Sequence, residues 1–143
     1  MNPYASPQGV FPSEWRGWYS YDPMEHMTVV VPNVTFEMSL EFGWFGRFSG
    51  SVQDGPESNM NETGRVKGRI RKMKIDFTKY MPVEYIMNPD GTAAKSRERH
   101  PPIHYFGTLD DTSFQMTGQW YIIFGGETTS GRWKASPVGM PDG

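Results

Sequence analysis

From Asn33 to Phe42, apolar and polar side chains take turns without a break. Val34, Phe36, Met38, Leu40 and Phe42 alternate with Thr35, Glu37, Ser39 and Glu41. A period of two is the signature of a strand with one buried face and one wet face. Phe48, Gly50 and Val52 carry the scheme on, and Asp54-Gly55-Pro56 ends it with turn chemistry. Val66, Gly68 and Ile70 then alternate with Arg65, Lys67, Arg69 and Arg71, after which the phase shifts to Met73, Ile75 and Phe77. That shift predicts a turn or bulge near Arg71–Lys72. Upstream, Glu14–Tyr21 is a short aromatic strand. Downstream, Ile103, Tyr105 and Gly107 form one inward set, Phe114, Met116, Gly118, Trp120 and Ile122 another, and Gly131–Ser136 closes the series with Trp133. Asp110-Asp111 and Gly125-Gly126 supply the turns between them.

No stretch carries a helical period. About eight strands with short connections predict a sandwich or a barrel. The glycines at inward positions (Gly50, Gly68, Gly107, Gly118) favour the barrel, since strand glycines mark the sharp bends of a small closed sheet. The expected fold is therefore all-β, a single antiparallel up-and-down β-barrel. Residues 1–13, with Pro3, Pro7, Gly9 and Pro12, read as a flexible N-terminal arm. The barrel domain is expected over 14–136, with 87–100 as an inserted loop behind the Asn88-Pro89-Asp90-Gly91 turn, and 137–143 as a C-terminal tail.

Composition sharpens this picture in three places. The chain has no cysteine, which excludes disulfide scaffolds, thiolate catalysis and thiolate metal sites together. Its formal net charge of −2 argues against a dedicated nucleic-acid binder. Nine Phe, seven Tyr, five Trp and ten Met in 143 residues must fill a core or line a pocket, and Met-rich aromatic surfaces suit irregular apolar ligands. There is no basic–apolar leader and no apolar run long enough to span a bilayer, so a cytoplasmic location without a membrane partner is the expectation.

Extending the alternation gives an inward set of Tyr19, Phe36, Met38, Leu40, Phe42, Phe48, Val66, Ile75, Phe77, Tyr105, Met116, Trp120 and Trp133. It holds no His, Asp, Glu, Lys or Arg, so the expected polar groups inside are phenols and indoles alone. An apolar wall with a few placed polar groups is what a small-molecule site needs. The expected ligand-binding residues are Tyr19, Phe36, Met38, Tyr105, Met116, Trp120 and Trp133. Were the protein an enzyme, the catalytic candidates would be Tyr105, Glu84, Tyr85 and His104. His100 and His104 flank Pro101-Pro102-Ile103 on an extended path of roughly 13 Å, too far apart to share one metal ion, and no metal or other cofactor is expected. The basic run RVKGRIRKMK at Arg65–Lys74 reads first as a solvated strand face that could pair with Glu37 and Glu41, with phosphate binding as the sharper reading. Asn33-Val34-Thr35 and Asn61-Glu62-Thr63 match the glycosylation acceptor pattern by chance.

The spaced motifs WxGxY at Trp15–Tyr19, FSGSxxD at Phe48–Asp54, ETGRVKG at Glu62–Gly68, IDFTKY at Ile75–Tyr80, IHYFGT at Ile103–Thr108, FQMTGQW at Phe114–Trp120 and GRW at Gly131–Trp133 form an ordered series. The series resembles a group of small avidin-like and lipocalin-like barrel domains of the calycin type. The resemblance implies the barrel and carries no activity with it. Three functional readings follow. The first is a non-catalytic binder of an apolar or aromatic small molecule. The second is a cofactor-independent isomerase or cyclase that shapes a polyketide-like or lipid-like substrate. The third is a protein-interaction module with a filled core, using exposed aromatics or an open barrel edge. Under any of the three, exposed aromatics allow two copies to pair as a homodimer.

Overall fold

The computed structural model describes residues 11–23, 31–58, 62–82, 89 and 100–138, with the backbone of 85–87 and 93–95. His26, Glu84, most of the turn at Asn88–Gly91 and the terminal segments 1–10 and 139–143 lie outside that set. Ten strands appear in order: β1 (Glu14–Tyr19), β2 (Val34–Phe42), β3 (Arg47–Asp54), β4 (Gly64–Arg71), β5 (Lys74–Tyr80), β6 (Tyr85–Met87), β7 (Ala93–Lys95), β8 (Ile103–Leu109), β9 (Met116–Phe124) and β10 (Glu127–Pro137). Eight of them close into an antiparallel barrel in the order β1-β10-β9-β8-β5-β4-β3-β2, while β6 and β7 pair only with each other. The segment expected as an inserted loop thus contains part of a small hairpin between β5 and β8.

The alternation seen in the sequence is what closes the sheet. On β2, Val34, Phe36, Met38 and Leu40 are buried while Thr35, Glu37, Ser39 and Glu41 are exposed. The seal lies between the first and last barrel strands, with Trp15 opposite Pro137 and Tyr19 opposite Trp133. Gly107 and Gly118 face each other across β8 and β9. A Cβ at Gly118 would sit 1.9 Å from the Phe106 carbonyl oxygen, so only glycine allows the strands to coil this tightly. Beside them the Trp133 indole N–H donates to the carbonyls of Phe106 (3.2 Å) and Gln119 (3.1 Å).

The phase change near Arg71 is a two-residue turn rather than a bulge. Lys72 and Met73 both adopt positive φ (51° and 63°), and Arg71 pairs with Lys74. This is the primed geometry that matches strand twist, built here without glycine. The β9–β10 hairpin turns at Gly125-Gly126, both also at positive φ. At the β8–β9 connection Asp110 Oδ1 accepts the backbone N–H groups of Thr112 and Ser113. Phe114, expected within the next strand, sits in this turn at φ 61°, and β9 starts at Met116.

The tight hairpins after β2, β4 and β8 define a lower end, and the long connections after β1, β3 and β5 an upper end. Trp15, Leu40, Ile70, Ile75, Leu109, Met116 and Ala135 fill the lower lumen, each at most 4% exposed. Phe11 is buried against this plug, stacked on Phe42 at 4.9 Å and edge-on to Phe114 at 5.9 Å. Pro12 accepts the Trp15 indole N–H, and the Ser13 carbonyl accepts the Leu40 amide. Residues 11–13, expected in the flexible arm, therefore close the bottom of the barrel.

Candidate functional site

The inward face is not free of charge, which corrects the expectation drawn from sequence. Asp54 ends β3 in phase with Phe48, Gly50 and Val52, and Lys79 follows Ile75 and Phe77 on β5. Both point into the upper lumen, with 0% and 3% of their side chains exposed. Lys79 Nζ lies 2.8 Å from Asp54 Oδ1 and 3.0 Å from Oδ2. The Tyr19 hydroxyl donates to Oδ2 at 2.9 Å, and Lys79 Nζ stands 5.0 Å from the centre of the Tyr19 ring. Because β4 separates β3 from β5 and β2 separates β1 from β3, this single carboxylate ties three non-adjacent strands together. A buried charge is tolerated only when paired and hydrogen-bonded, and here both conditions hold.

Aromatic rings enclose the pair. Tyr19 packs edge-on to Tyr21 (5.9 Å) and Trp120 (5.8 Å), and Tyr21 meets Trp120 at 5.1 Å. Tyr105 stacks on Phe77 at 4.7 Å with planes 7° apart, while Trp133 meets both edge-on, at 5.8 and 5.3 Å. The Trp120 indole N–H is taken by the Ser20 carbonyl at 2.9 Å.

Burial dominates the acidity of the three phenols. It pushes Tyr19 and Tyr105 well above the usual tyrosine value, and the nearby Asp54 carboxylate raises both further. Tyr21 is pushed up to about 12 by burial and by Asp54, with its hydrogen bond to Tyr19 pulling the other way. All three stay protonated near neutral pH and can only serve as neutral hydroxyls. The Tyr105 hydroxyl makes no hydrogen bond among the described residues, although burial of an unpaired hydroxyl costs free energy.

Of the seven residues expected to bind ligand, Tyr19, Phe36, Tyr105, Trp120 and Trp133 gather in this upper layer. Met38 and Met116 are equally buried but belong lower, Met116 opposite Leu109 within the plug. Among the catalytic candidates, only Tyr105 is placed at the cluster. His104 faces outward and stacks on Tyr121 at 4.9 Å. Tyr85 lies on β6 with its side chain outside the description, as is the whole of Glu84. Sequence reasoning missed Asp54 and Lys79 because each closes an apolar run and reads as a terminator. Their parity was the available signal.

A groove of about 820 Å³ runs over β10, β1, β2 and β3, where Arg16, Trp18, Glu37 and Gln53 form its walls and Asp54 of the ion pair is among the residues that line it. In comparisons with known protein families, curated proteins and solved structures, nothing matches this chain. The fold and site together define an all-β protein: a closed eight-stranded antiparallel barrel, compatible with the calycin architecture, with a neutralised ion pair under an aromatic layer.

Proposed function

We propose that this chain is a calycin-type barrel of the avidin-like or lipocalin-like kind, and that its upper lumen binds an apolar or aromatic small molecule. The observation that carries the reading is the buried Tyr105 hydroxyl, which has no hydrogen-bond partner among the described residues, beside an otherwise satisfied ion pair. Asp54 and Lys79 neutralise each other, and the phenols around them stay protonated, so the site favours no net charge on its guest. Its spare donor suits a neutral acceptor such as a ketone, ester or ether oxygen on an apolar body. Binding of this kind is non-catalytic.

The same pair favours a second reading. Lys79 and Asp54 supply the acid–base groups that phenols alone would lack, so a cofactor-independent isomerase or cyclase acting on a polyketide-like or lipid-like substrate is the alternative.

Native mass spectrometry of the purified protein, beside a denatured and solvent-extracted portion, tests the proposal. A reproducible neutral molecule lost on denaturation supports it, and Tyr105→Phe then weakens retention about tenfold, the worth of one buried hydrogen bond. A clean apo mass, with no thermal shift across a panel of lipophilic carbonyl compounds, overturns it and leaves the filled interaction module. Conversion of a bound candidate into an isomer, abolished by Lys79→Met, would select the enzyme.

A further inference from the structure

The outer face of β3, β4 and β5 gathers positive charge. Arg65, Lys67, Arg69 and Arg71 point outward along β4. Arg47 stands opposite Arg69, and Arg71 opposite Lys74 at the Lys72–Met73 turn. The acidic partners expected for this stripe are misplaced: Glu37 and Glu41 lie on β2 and pair with Gln53 and Ser49, one strand away from β4. Asp76, opposite Arg69, is the acid within the face. Among the described residues, neither these six cations nor Lys72 in the turn has a carboxylate within ion-pair distance; the Asp54–Lys79 pair inside the barrel is the salt bridge found. Like charges placed directly opposite each other work against the sheet. Their assembly on one face of a chain with net charge −2 calls for an anionic partner.

Two aromatic side chains project from the lower corner of that face. Trp44 and Phe45 form the tip between β2 and β3, and each is 82% exposed. Phe45 is held at φ 59°, a left-handed conformation unfavourable for a side chain of its size. The next residue, Gly46, packs so closely on β4 that a Cβ there would lie 2.1 Å from the Ile70 carbonyl oxygen. The tip is therefore pinned beside Arg69, Arg71 and Lys72. The aromatics are displayed there and bury nothing within the barrel.

We infer that this corner docks the protein on an anionic lipid surface, with Trp44 and Phe45 entering the interface and Arg47, Arg69, Arg71, Lys72 and Lys74 meeting the headgroups. Neither element suffices alone. Stable attachment of a peripheral protein needs an apolar anchor together with a basic patch, and each basic side chain held near an anionic leaflet strengthens binding roughly fivefold. Tryptophan is at home at the headgroup level because its ring is apolar and its N–H polar. Single-stranded nucleic acid is less well suited: stacking on aromatics needs them along a groove that tracks the backbone, whereas here they stand at the end of a hairpin. The contact requires no membrane-spanning segment, so it revises the expectation of no membrane partner. It would leave the upper mouth of the barrel facing away from the bilayer.

Co-sedimentation of the full chain with vesicles tests this. The parent is expected to bind vesicles of phosphatidylcholine mixed with phosphatidylserine, to ignore phosphatidylcholine alone, and to release as salt rises. Trp44→Ser/Phe45→Ser and, separately, Arg71→Glu/Lys72→Glu should each lower the bound fraction at least about tenfold. Both pairs are exposed, and an unchanged thermal midpoint confirms that the variants fold. No binding to the anionic vesicles at low salt overturns the inference, as does equal binding by either variant. Binding of single-stranded RNA in preference to vesicles, lost with the charges but kept without the aromatics, overturns it in favour of a nucleic-acid face.

Discussion

Asp54 grips Lys79 through both carboxylate oxygens, at 2.8 and 3.0 Å, across the full width of the strand between them. Removing either partner alone leaves an uncompensated charge in the aromatic layer. Asp54→Asn and Lys79→Met should each destabilise the fold by about 3–5 kcal/mol. The double variant Asp54→Leu/Lys79→Met should recover only part of that loss, because it removes the unpaired charge but leaves the buried Tyr19 hydroxyl without its acceptor. Urea unfolding of the three variants beside the parent gives the comparison. Equal losses in the single and double variants would mean that packing, and not the pair, holds this layer.

Two buried phenols should respond very differently to loss of the hydroxyl. Tyr19 donates to a carboxylate, a bond worth about 1.5–3 kcal/mol, so Tyr19→Phe should be clearly destabilising. Tyr105 donates to nothing among the described residues, and Tyr105→Phe should stay within about 0.5 kcal/mol of the parent. Thermal melts without added ligand separate the two. A large loss at Tyr105 would reveal a partner outside the described residues.

Alkaline pH probes the same layer. Tyr19, Tyr21 and Tyr105 have folded-state acidities pushed above the unfolded value near 10, Tyr21 to about 12. The folded state therefore holds protons that the unfolded chain releases above that value. The stabilisation this provides is complete below pH 10 and lost as pH climbs through the folded values. Tyrosinate absorbance should rise for these three only together with loss of near-ultraviolet circular dichroism. Their reversible ionisation in the intact barrel would show that water reaches the upper lumen.

The Lys72–Met73 turn carries avoidable strain. Both residues sit at positive φ, where asparagine is better tolerated than lysine. Lys72→Asn should stabilise the hairpin by about 0.5 kcal/mol, a rise of roughly 1–2 °C in the thermal midpoint. A lowered midpoint would mean that the lysine side chain contributes something that outweighs its backbone cost.

The strands were legible because each buries one face, and burial writes a period of two into the residues. Val34–Phe42 is read almost to its ends, and the Arg71–Lys72 phase shift locates a turn one residue further on. The same rule also contained the ion pair. Asp54 lies two residues beyond Val52, and Lys79 two beyond Phe77, so parity alone places both inside. Chemistry argued otherwise: a charged residue at the end of an apolar run is usually leaving the core. What overrode that tendency was the meeting of the two across β4, a relation between residues distant in sequence that no local pattern records. Phe11 reads as part of the arm for a similar reason. Its partners Phe42 and Phe114 lie far along the chain, and the prolines around it suggested an unstructured arm.

The closure of the barrel by its first and last strands governs the order in which the chain can be completed. β1 emerges early from the ribosome, but one of its two neighbours, β10, is the last barrel strand to be made. Until then β1 has one edge unpaired, and each newly paired strand presents another. The growing chain thus carries an open margin rich in tryptophan and tyrosine, a template for pairing with other chains. The step that ends this exposure is one long-range event, the zipping of Trp15–Tyr19 against Trp133–Pro137, and it is a late step that non-local pairing makes slow.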